Sequence, residues 1–179
     1  MVFDIIAAAH YTNYAIGKEG KLLWNNSTDM RYFREITTKT TDPKKINAVI
    51  MGRKTYESIG FGLKKRVNMI LTHNPKAFKS IEKEDTNLLF HDNFEEALQM
   101  LYNQPTIETI FVIGGESIYK MALDHTNCRR IYLNMMSVDC DVSDADAFFP
   151  QIDAAKYKII QSNPIHPDVI NTIYYRVQE

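Results

Sequence analysis

Apolar runs that end at a glycine, a threonine or an asparagine alternate along most of this chain with segments of helical periodicity. The runs predict buried strands at residues 3–9, 47–51, 66–72, 88–90, 109–113 and 130–136. The helical segments lie at residues 27–36, 53–59, 94–101 and 116–123. Strands that alternate with helices favour right-handed crossovers and a mostly parallel sheet. The last two runs, at 156–161 and 172–177, instead predict an antiparallel hairpin with a proline-containing loop.

Two connections between these segments are long and polar. Residues 10–26 predict a loop, and this loop carries the single tryptophan of the chain, Trp24. Residues 37–45 contain four threonines, a proline and three lysines, and they predict a surface connection that tolerates insertions. Neither connection has the composition of a linker between two domains, so a single domain over residues 1–179 is expected.

The composition excludes several classes of protein. A net charge of −1 over 179 residues does not indicate a positively charged surface of the kind that binds nucleic acid. Cys128 and Cys140 have neither metal-binding nor disulfide-scaffold spacing, and the five histidines show no metal spacing either, so no metal site is predicted. The N-terminal apolar run is short and contains Asp4, which argues against a membrane span or a signal peptide. A cytoplasmic protein is the simplest interpretation.

Asp29 is an acid on the apolar face of a predicted helix that Ser27 or Thr28 caps. At ~100° per residue it shares a stripe with Phe33 and Ile36, whereas Arg34 falls on the opposite face. A buried carboxylate needs a partner, and a ligand with two adjacent N–H donors would supply one. The alternative is a partly solvated acid stabilised by the helix dipole.

Glycines follow two of the predicted strands, at the edge where parallel sheets bind ligands. Gly114 and Gly115 lie between a strand and a helix and would let a pyrophosphate approach backbone N–H groups, although, taken alone, they are more simply explained by a tight strand–helix turn. Gly52 precedes Arg53 and Lys54, two cations at a helix start where they are electrostatically unfavourable. Either a phosphate or simple solvation accounts for these two charges.

Two further strand ends carry polar residues. Thr72 and His73 place a hydroxyl and an imidazole at the end of the third predicted strand. Arg66 begins that strand, where its guanidinium can donate two parallel hydrogen bonds to a carboxylate.

The chain resembles the dihydrofolate reductase family over nearly its whole length. The matching pieces occur in the family's order: Ile16-Gly17 with Trp24, Asp29 with Phe33, residues 49–59, Arg66-Val67-Asn68, Ile113-Gly114-Gly115 with Tyr119, and Phe148-Phe149-Pro150. The resemblance implies an α/β fold with a mixed, mostly parallel eight-stranded sheet, about four flanking helices and a C-terminal antiparallel hairpin. It also implies NADPH-dependent reduction of 7,8-dihydrofolate to tetrahydrofolate and inhibition by antifolates such as methotrexate.

The same resemblance implies a role for individual residues. It makes Asp29, Trp24 and Asn134 catalytic. Residues expected to contact the substrate are Ala7, Ala8, Asp29, Met30, Phe33, Ile59, Leu63, Arg66, Ile113 and Tyr119. Residues expected to contact NADPH are Ala9, Ile16, Gly17, Gly20, Lys21, Leu22, Gly52, Arg53, Lys54, Thr55, Leu71, Thr72, His73, Gly114, Gly115, Glu116, Ser117 and Ile118. Arg53, Thr72 and His73 match contacts to the 2′-phosphate, and Gly114-Gly115 match a cis peptide bond.

Two residues depart from the family pattern. Leu23 replaces a proline before the tryptophan, so the loop loses a constraint on φ. Asn134 replaces a threonine whose hydroxyl binds the active-site acid, and its amide can donate to Asp29 in the same way.

Three alternatives remain open on the sequence. The pyrimidine reductase of riboflavin synthesis is similar in fold and also uses NADPH, although Trp24, Asp29 and Phe33 favour the folate enzyme. A folate- or nucleotide-binding protein without catalysis is the second. The polar 37–45 segment is also similar to reductase domains fused to thymidylate synthase, so the chain is expected to be either a monomer or a domain of such a fusion.

Overall fold

A computed structural model describes residues 1–177, and its strands form one large and one small sheet. The strands are β1 (Phe3–His10), β2 (Ala15–Gly17), β3 (Ile46–Gly52), β4 (Arg66–Leu71), β5 (Leu88–His91), β6 (Ile107–Val112), β7 (Cys128–Met136), β8 (Ala147–Phe148), β9 (Tyr157–His166) and β10 (Val169–Arg176). The helices are α1 (Ser27–Thr38), α2 (Arg53–Ile59), α3 (Lys79–Glu84), α4 (Phe94–Tyr102) and α5 (Glu116–Asp124).

The large sheet has eight strands in the order β5-β4-β3-β6-β1-β7-β10-β9. Every pair from β5 to β7 is parallel, and β10 then pairs antiparallel with both β7 and β9. This arrangement confirms the expected mixed, mostly parallel sheet with its C-terminal hairpin. The parallel strands align their carboxyl ends along one edge of the sheet, where the predicted site residues were expected to meet.

Helices cover both faces of the sheet. Apolar residues of α1, α2 and α3 pack on one face, around Val49, Met51 and Ile70. Residues of α4 and α5 pack on the other face, around Ile5, Ile50 and Val112. Each central strand is therefore buried on both sides, which explains why these strands read as continuous apolar runs in the sequence.

Several elements differ from the sequence-based prediction. Five α-helices flank the sheet rather than about four, because α3 and the 3-10 turn before it (Pro75–Phe78) are too short to show apolar periodicity. The predicted 10–26 loop contains β2, which pairs with β8 to form the small sheet. Predicted strand ends are otherwise within a few residues, except that the hairpin strands are longer and the loop proline Pro164 lies inside β9, an edge strand that tolerates it.

The first helix also begins and ends differently. Its N-cap is Asn26, not Ser27 or Thr28, and the Asn26 side-chain oxygen accepts a hydrogen bond from the Asp29 amide at 3.0 Å. The helix continues through Thr38, and Thr37, expected in a polar surface connection, is fully buried.

Within residues 1–177, none of the helices has the length and apolar character that crossing a membrane requires.

Candidate active site

Asp29 lies in the first turn of α1 with its carboxylate turned into the protein, and the residue is 7% exposed. The amide nitrogen of Asn134, on β7, donates to Asp29 Oδ1 at 2.8 Å. Burial raises the pKa of the carboxyl above its ordinary value, and the Asn134 amide and the Trp24 indole partly oppose that rise. Within residues 1–177 no basic side chain forms a salt bridge with Asp29. The carboxylate therefore retains acceptor capacity for a ligand.

Trp24 supplies a second unsatisfied polar group close to this acid. Its ring packs near the His10 ring at 6.4 Å between centroids, and its Nε1–H is buried with no hydrogen-bond partner in the described part of the chain. An unpaired buried donor is costly, so this N–H is the natural contact of a bound ligand or of an ordered water.

Tyr119 reaches the same region from α5. Its hydroxyl donates to the backbone oxygen of Ile6 at 2.9 Å, which ties α5 to the central strand β1. Burial and the negative charge of Asp29 raise the pKa of Tyr119 far above its ordinary range, so the hydroxyl is neutral and serves as a fixed donor.

The ends of β3 and β6 meet through glycines. The Gly52 amide donates to the Gly114 carbonyl at 2.8 Å, and the Gly114–Gly115 peptide bond is cis. A Cβ on Gly52 would lie 3.3 Å from the side chain of Ile118, and one on Gly114 would lie 3.1 Å from the Tyr119 ring. The two strand ends and the start of α5 thus approach to a distance that larger residues do not allow, and they form a backbone-lined cradle of the kind that accepts a pyrophosphate.

Arg66 forms a separate, positively charged subsite. The residue is 6% exposed, its Nη1 donates to the Thr37 hydroxyl at 2.8 Å, and its guanidinium lies 6.0 Å from the centre of the Phe33 ring. Burial lowers the pKa of Arg66, and the positive charge of the nearby Arg34 lowers it further. No acidic side chain pairs with it among residues 1–177. A buried guanidinium without a carboxylate is suited to binding an anionic ligand.

The polar residues expected around a phosphate are more exposed. Arg53 pairs with Glu57 one helical turn away, at 2.7 Å, and Lys54 and His73 are exposed. Thr72 is buried, and its hydroxyl accepts a weak hydrogen bond from the Asn74 amide at 3.3 Å.

The remaining predicted residues divide into buried and exposed groups. Ala7, Ala9, Ile16, Gly17, Ile113 and Ile118 are buried; Ala8, Phe33, Ile59, Leu63, Leu71, Thr55, Gly115 and Glu116 are half-buried. Met30, expected to contact the substrate, is 50% exposed, and Gly20, Lys21, Leu22 and Ser117 are exposed as well. A cavity of about 670 Å³ lies elsewhere, between β9 and Phe149, and none of the predicted residues lines it.

Thr37 and Asn171 fix site residues through hydrogen bonds that were not predicted. Thr37 fixes Arg66, and Asn171 on β10 donates to Asn134 Oδ1 at 3.0 Å. The only signal for Asn171 is a polar residue in the middle of an apolar strand pattern, because its partner is 37 residues away in the chain.

This geometry defines a class of protein, an α/β enzyme fold that holds its ligands at the carboxyl edge of a mostly parallel sheet. Comparison with known proteins makes the assignment specific. The family model for dihydrofolate reductase matches residues 2–179. The chain is 38% identical over 167 residues to a dihydrofolate reductase of Heliothis virescens, covering 90% of this chain and 86% of the relative. It is 33% identical over 183 residues to the Aedes albopictus dihydrofolate reductase, covering 97% and 94%.

The chain also resembles longer proteins. It is 36% identical over 181 residues to a bifunctional dihydrofolate reductase-thymidylate synthase of Glycine max, covering 97% of this chain and 32% of that relative. The chain thus spans about a third of the bifunctional relative's length. The full-length family match and the similarity to the two insect proteins establish that this chain belongs to the dihydrofolate reductase family.

Proposed function

We propose that this chain reduces 7,8-dihydrofolate to 5,6,7,8-tetrahydrofolate with NADPH, and so supports one-carbon metabolism and thymidylate synthesis. The observation that carries the proposal is the buried Asp29 carboxylate, whose only hydrogen-bond donor from a described side chain is the Asn134 amide. The ring N–H and the exocyclic amine of a pterin are two adjacent donors and match the two oxygens of this carboxylate.

The rest of the substrate follows the surface from Asp29 to Arg66. Phe33, Ile59 and Leu63 are partly buried apolar side chains that pack on the aromatic rings. Arg66 pairs with the α-carboxylate of the glutamate, because its buried guanidinium otherwise lacks an anion. Antifolates such as methotrexate, which carry the same donors and the same carboxylate, bind to the same groups.

NADPH fits the glycine cradle formed by Gly52, Gly114 and Gly115, where Cβ atoms on Gly52 and Gly114 would press against Ile118 and Tyr119 and force the two strand ends and the start of α5 apart. Thr55 and the start of α5 lie beside this cradle, and Arg53, Thr72 and His73 bind the 2′-phosphate. When bound, NADPH supplies the hydride that the reduction consumes.

Asp29 orients and polarises the pterin, and water delivers the proton that the reduced ring nitrogen gains. Burial raises the pKa of this carboxyl in the free protein, whereas the pterin donors favour its charged form. Tyr119 stays neutral and holds the strand backbone at Ile6 in place, which fixes one wall of the pterin subsite.

Loss of reduced-nicotinamide absorbance, measured with purified protein, NADPH and dihydrofolate, tests the proposal. Turnover that methotrexate abolishes supports it. Tight methotrexate binding without turnover would replace it with a folate-binding role, and turnover of a pyrimidine substrate in place of dihydrofolate would replace it with a pyrimidine reductase.

We also propose that residues 1–179 form one catalytic domain, either a monomer or a domain fused to thymidylate synthase, and that it works in the cytoplasm. The single eight-stranded sheet that runs through the chain supports one domain. The free thiols of Cys128 and Cys140 suit a reducing compartment. Size-exclusion chromatography of the purified chain and localisation of a tagged full-length gene product test these points.

A further inference from the structure

Two asparagines face each other on adjacent strands next to the active-site acid. Asn134 on β7 and Asn171 on β10 are direct register partners, and they are 2% and 3% exposed. The Asn134 amide nitrogen donates to Asp29 at 2.8 Å, and its oxygen accepts from the amide nitrogen of Asn171 at 3.0 Å. The three side chains thus form a buried chain of hydrogen bonds in one direction, from β10 through β7 to α1.

An amide in this position has an ambiguity that a hydroxyl lacks. Asn134 can present either its nitrogen or its oxygen to Asp29, and the two orientations occupy almost the same space. The nitrogen donates to the carboxylate, whereas the oxygen would face another acceptor in a buried environment, which is unfavourable. Asp29 thus favours the observed orientation from one side of Asn134. The Asn171 nitrogen favours it from the other side, because it can donate only to the oxygen end of Asn134.

Asn171 also lies near α1. Burial is the main reason that the pKa of Tyr32 is raised to about 12, and the nearby Asn171 amide partly opposes that rise. Tyr32 is on α1, one turn after Asp29. The Asn171 amide is therefore placed between β7 and α1, with its nitrogen donating to Asn134 Oδ1 and with Tyr32 nearby.

We propose that Asn171 is a positioning residue for folate reduction, which locks the Asn134 amide with its nitrogen toward Asp29. The inference rests on the proposed function for its catalytic meaning, but the hydrogen-bond chain exists in the free protein and can be tested there.

The other groups around Asp29 do not replace this donor. The Tyr119 hydroxyl, from α5, is committed to Ile6, and the His10 ring, from β1, hydrogen-bonds to Val138. The Trp24 N–H, from the segment before α1, favours the charged form of Asp29 without forming a hydrogen bond to a described atom. When Asn134 loses its fixed orientation, the pKa of Asp29 therefore rises.

The decisive experiment is a double-mutant cycle. Asn171→Leu is compared with the parent in two backgrounds, one with Asn134 and one with Asn134→Thr, whose rotating hydroxyl needs no orientation. The readouts are the titration of the Asp29 carboxyl followed by NMR in the free protein, and KM and kcat for dihydrofolate. If Asn171→Leu does not fold, Asn171→Ala takes its place, since truncation leaves room for water.

In the Asn134 background we expect Asn171→Leu to raise the Asp29 titration midpoint by about one pH unit. We also expect about a tenfold higher KM for dihydrofolate, with a smaller change in kcat. In the Asn134→Thr background the same substitution should move the midpoint by less than about 0.3 pH unit and change KM and kcat by less than about twofold, because no amide remains to be oriented.

Thr172→Val is the matched structural control. Thr172 is the next residue on β10, is buried, and pairs with Ser162 at 3.1 Å on the other face of the sheet. Its loss should lower Tm without moving the Asp29 midpoint. Equal effects of Asn171→Leu in both backgrounds, or a fall in Tm with an unmoved midpoint, would overturn the positioning role. Absence of turnover in the parent would overturn the proposed function alone, since the NMR titration needs no substrate.

Discussion

The guanidinium of Arg66 donates to the hydroxyl of Thr37 at 2.8 Å in the interior of the protein, and that hydroxyl donates in turn to the backbone oxygen of Phe33 at 2.7 Å. A neutral hydroxyl orients the guanidinium but does not neutralise it. A buried cation that is oriented but not neutralised is prepared for an anion, and this supports the proposed role of Arg66 in binding the carboxylate of the substrate.

Replacing Arg66 should therefore affect one end of the substrate. For Arg66→Ala we expect KM for dihydrofolate to rise about 10- to 100-fold, because the hydrogen bonds between the guanidinium and the charged carboxylate are lost. For a substrate that lacks the α-carboxylate, the substitution should leave KM almost unchanged. Steady-state kinetics with both substrates measures the difference. Arg31→Ala, an exposed arginine on α1, is the control. An equal loss with both substrates would contradict the role of Arg66.

Asp29→Asn should lose most hydride transfer at neutral pH, because an amide no longer accepts both pterin donors. Partial recovery in acid is expected, where the substrate itself is more readily protonated. Single-turnover rates across pH measure both effects. Turnover at neutral pH equal to that of the parent would remove Asp29 from the mechanism.

The same substitution should stabilise the ligand-free protein. The pKa of Asp29 is raised in the folded state above 3.8, so the fold binds this proton more tightly than the unfolded chain does. Stability is consequently lost as pH rises from about the unfolded pKa through the raised folded pKa. At neutral pH we expect Asp29→Asn to be more stable by roughly 0.5–2 kcal/mol. The gain should vanish in acid below that window, as urea unfolding at several pH values can show; a variant less stable at neutral pH would contradict it.

Arg53 should determine which nicotinamide nucleotide is preferred. Arg53→Ala removes the cation proposed to bind the 2′-phosphate, and we expect the ratio of kcat/KM for NADPH to that for NADH to fall about tenfold or more. Arg31→Ala, an exposed arginine on α1, should leave the ratio unchanged. If both variants keep the parental ratio, the 2′-phosphate is bound elsewhere.

Gly114→Ala should damage both stability and NADPH binding. Gly114 has φ +118, and an added Cβ would lie 3.1 Å from the Tyr119 ring. Gly60→Ala is the matched control, because Gly60 has φ +85 and no atom lies within 4 Å of the added Cβ. We expect both to lose about 1–3 kcal/mol of stability through backbone strain. Only Gly114→Ala should also weaken NADPH binding, as titration calorimetry would show.

The strand–helix alternation was sufficient to predict a mostly parallel sheet, because strands buried on both faces are continuous apolar runs, whereas the number of strands came from the family resemblance. The C-terminal hairpin was predicted from similar runs, although its strands are longer than expected. The short α3 was missed because one and a half turns contain too few apolar positions to define a period. Asn26 was overlooked as the N-cap because asparagine, serine and threonine are equivalent in sequence, and only the bond to the Asp29 amide distinguishes them.

Asp29 was predictable because it stands alone on an apolar stripe, and the structure shows it buried. Its neighbours were less accessible to sequence reasoning. Arg66 was expected to meet a carboxylate, yet its partner Thr37 was assigned to a surface connection because polar residues surround it. Predicting the contact of Asn171 required the register between β7 and β10, whose paired residues lie far apart in the chain.

The length of α1 has one more consequence. Asp29 lies in its first turn, and Thr37, which holds Arg66, lies near its last. Eight residues of helix correspond to roughly 12 Å along the axis. The length of this helix therefore sets the distance between Asp29 and the Thr37 hydroxyl that orients Arg66. Asp29 and Arg66 are proposed to bind opposite ends of one ligand. A single residue inserted between Asp29 and Thr37 would turn Thr37 by about 100° away from Arg66, so Asp29 would keep its place while the guanidinium lost the hydroxyl that orients it.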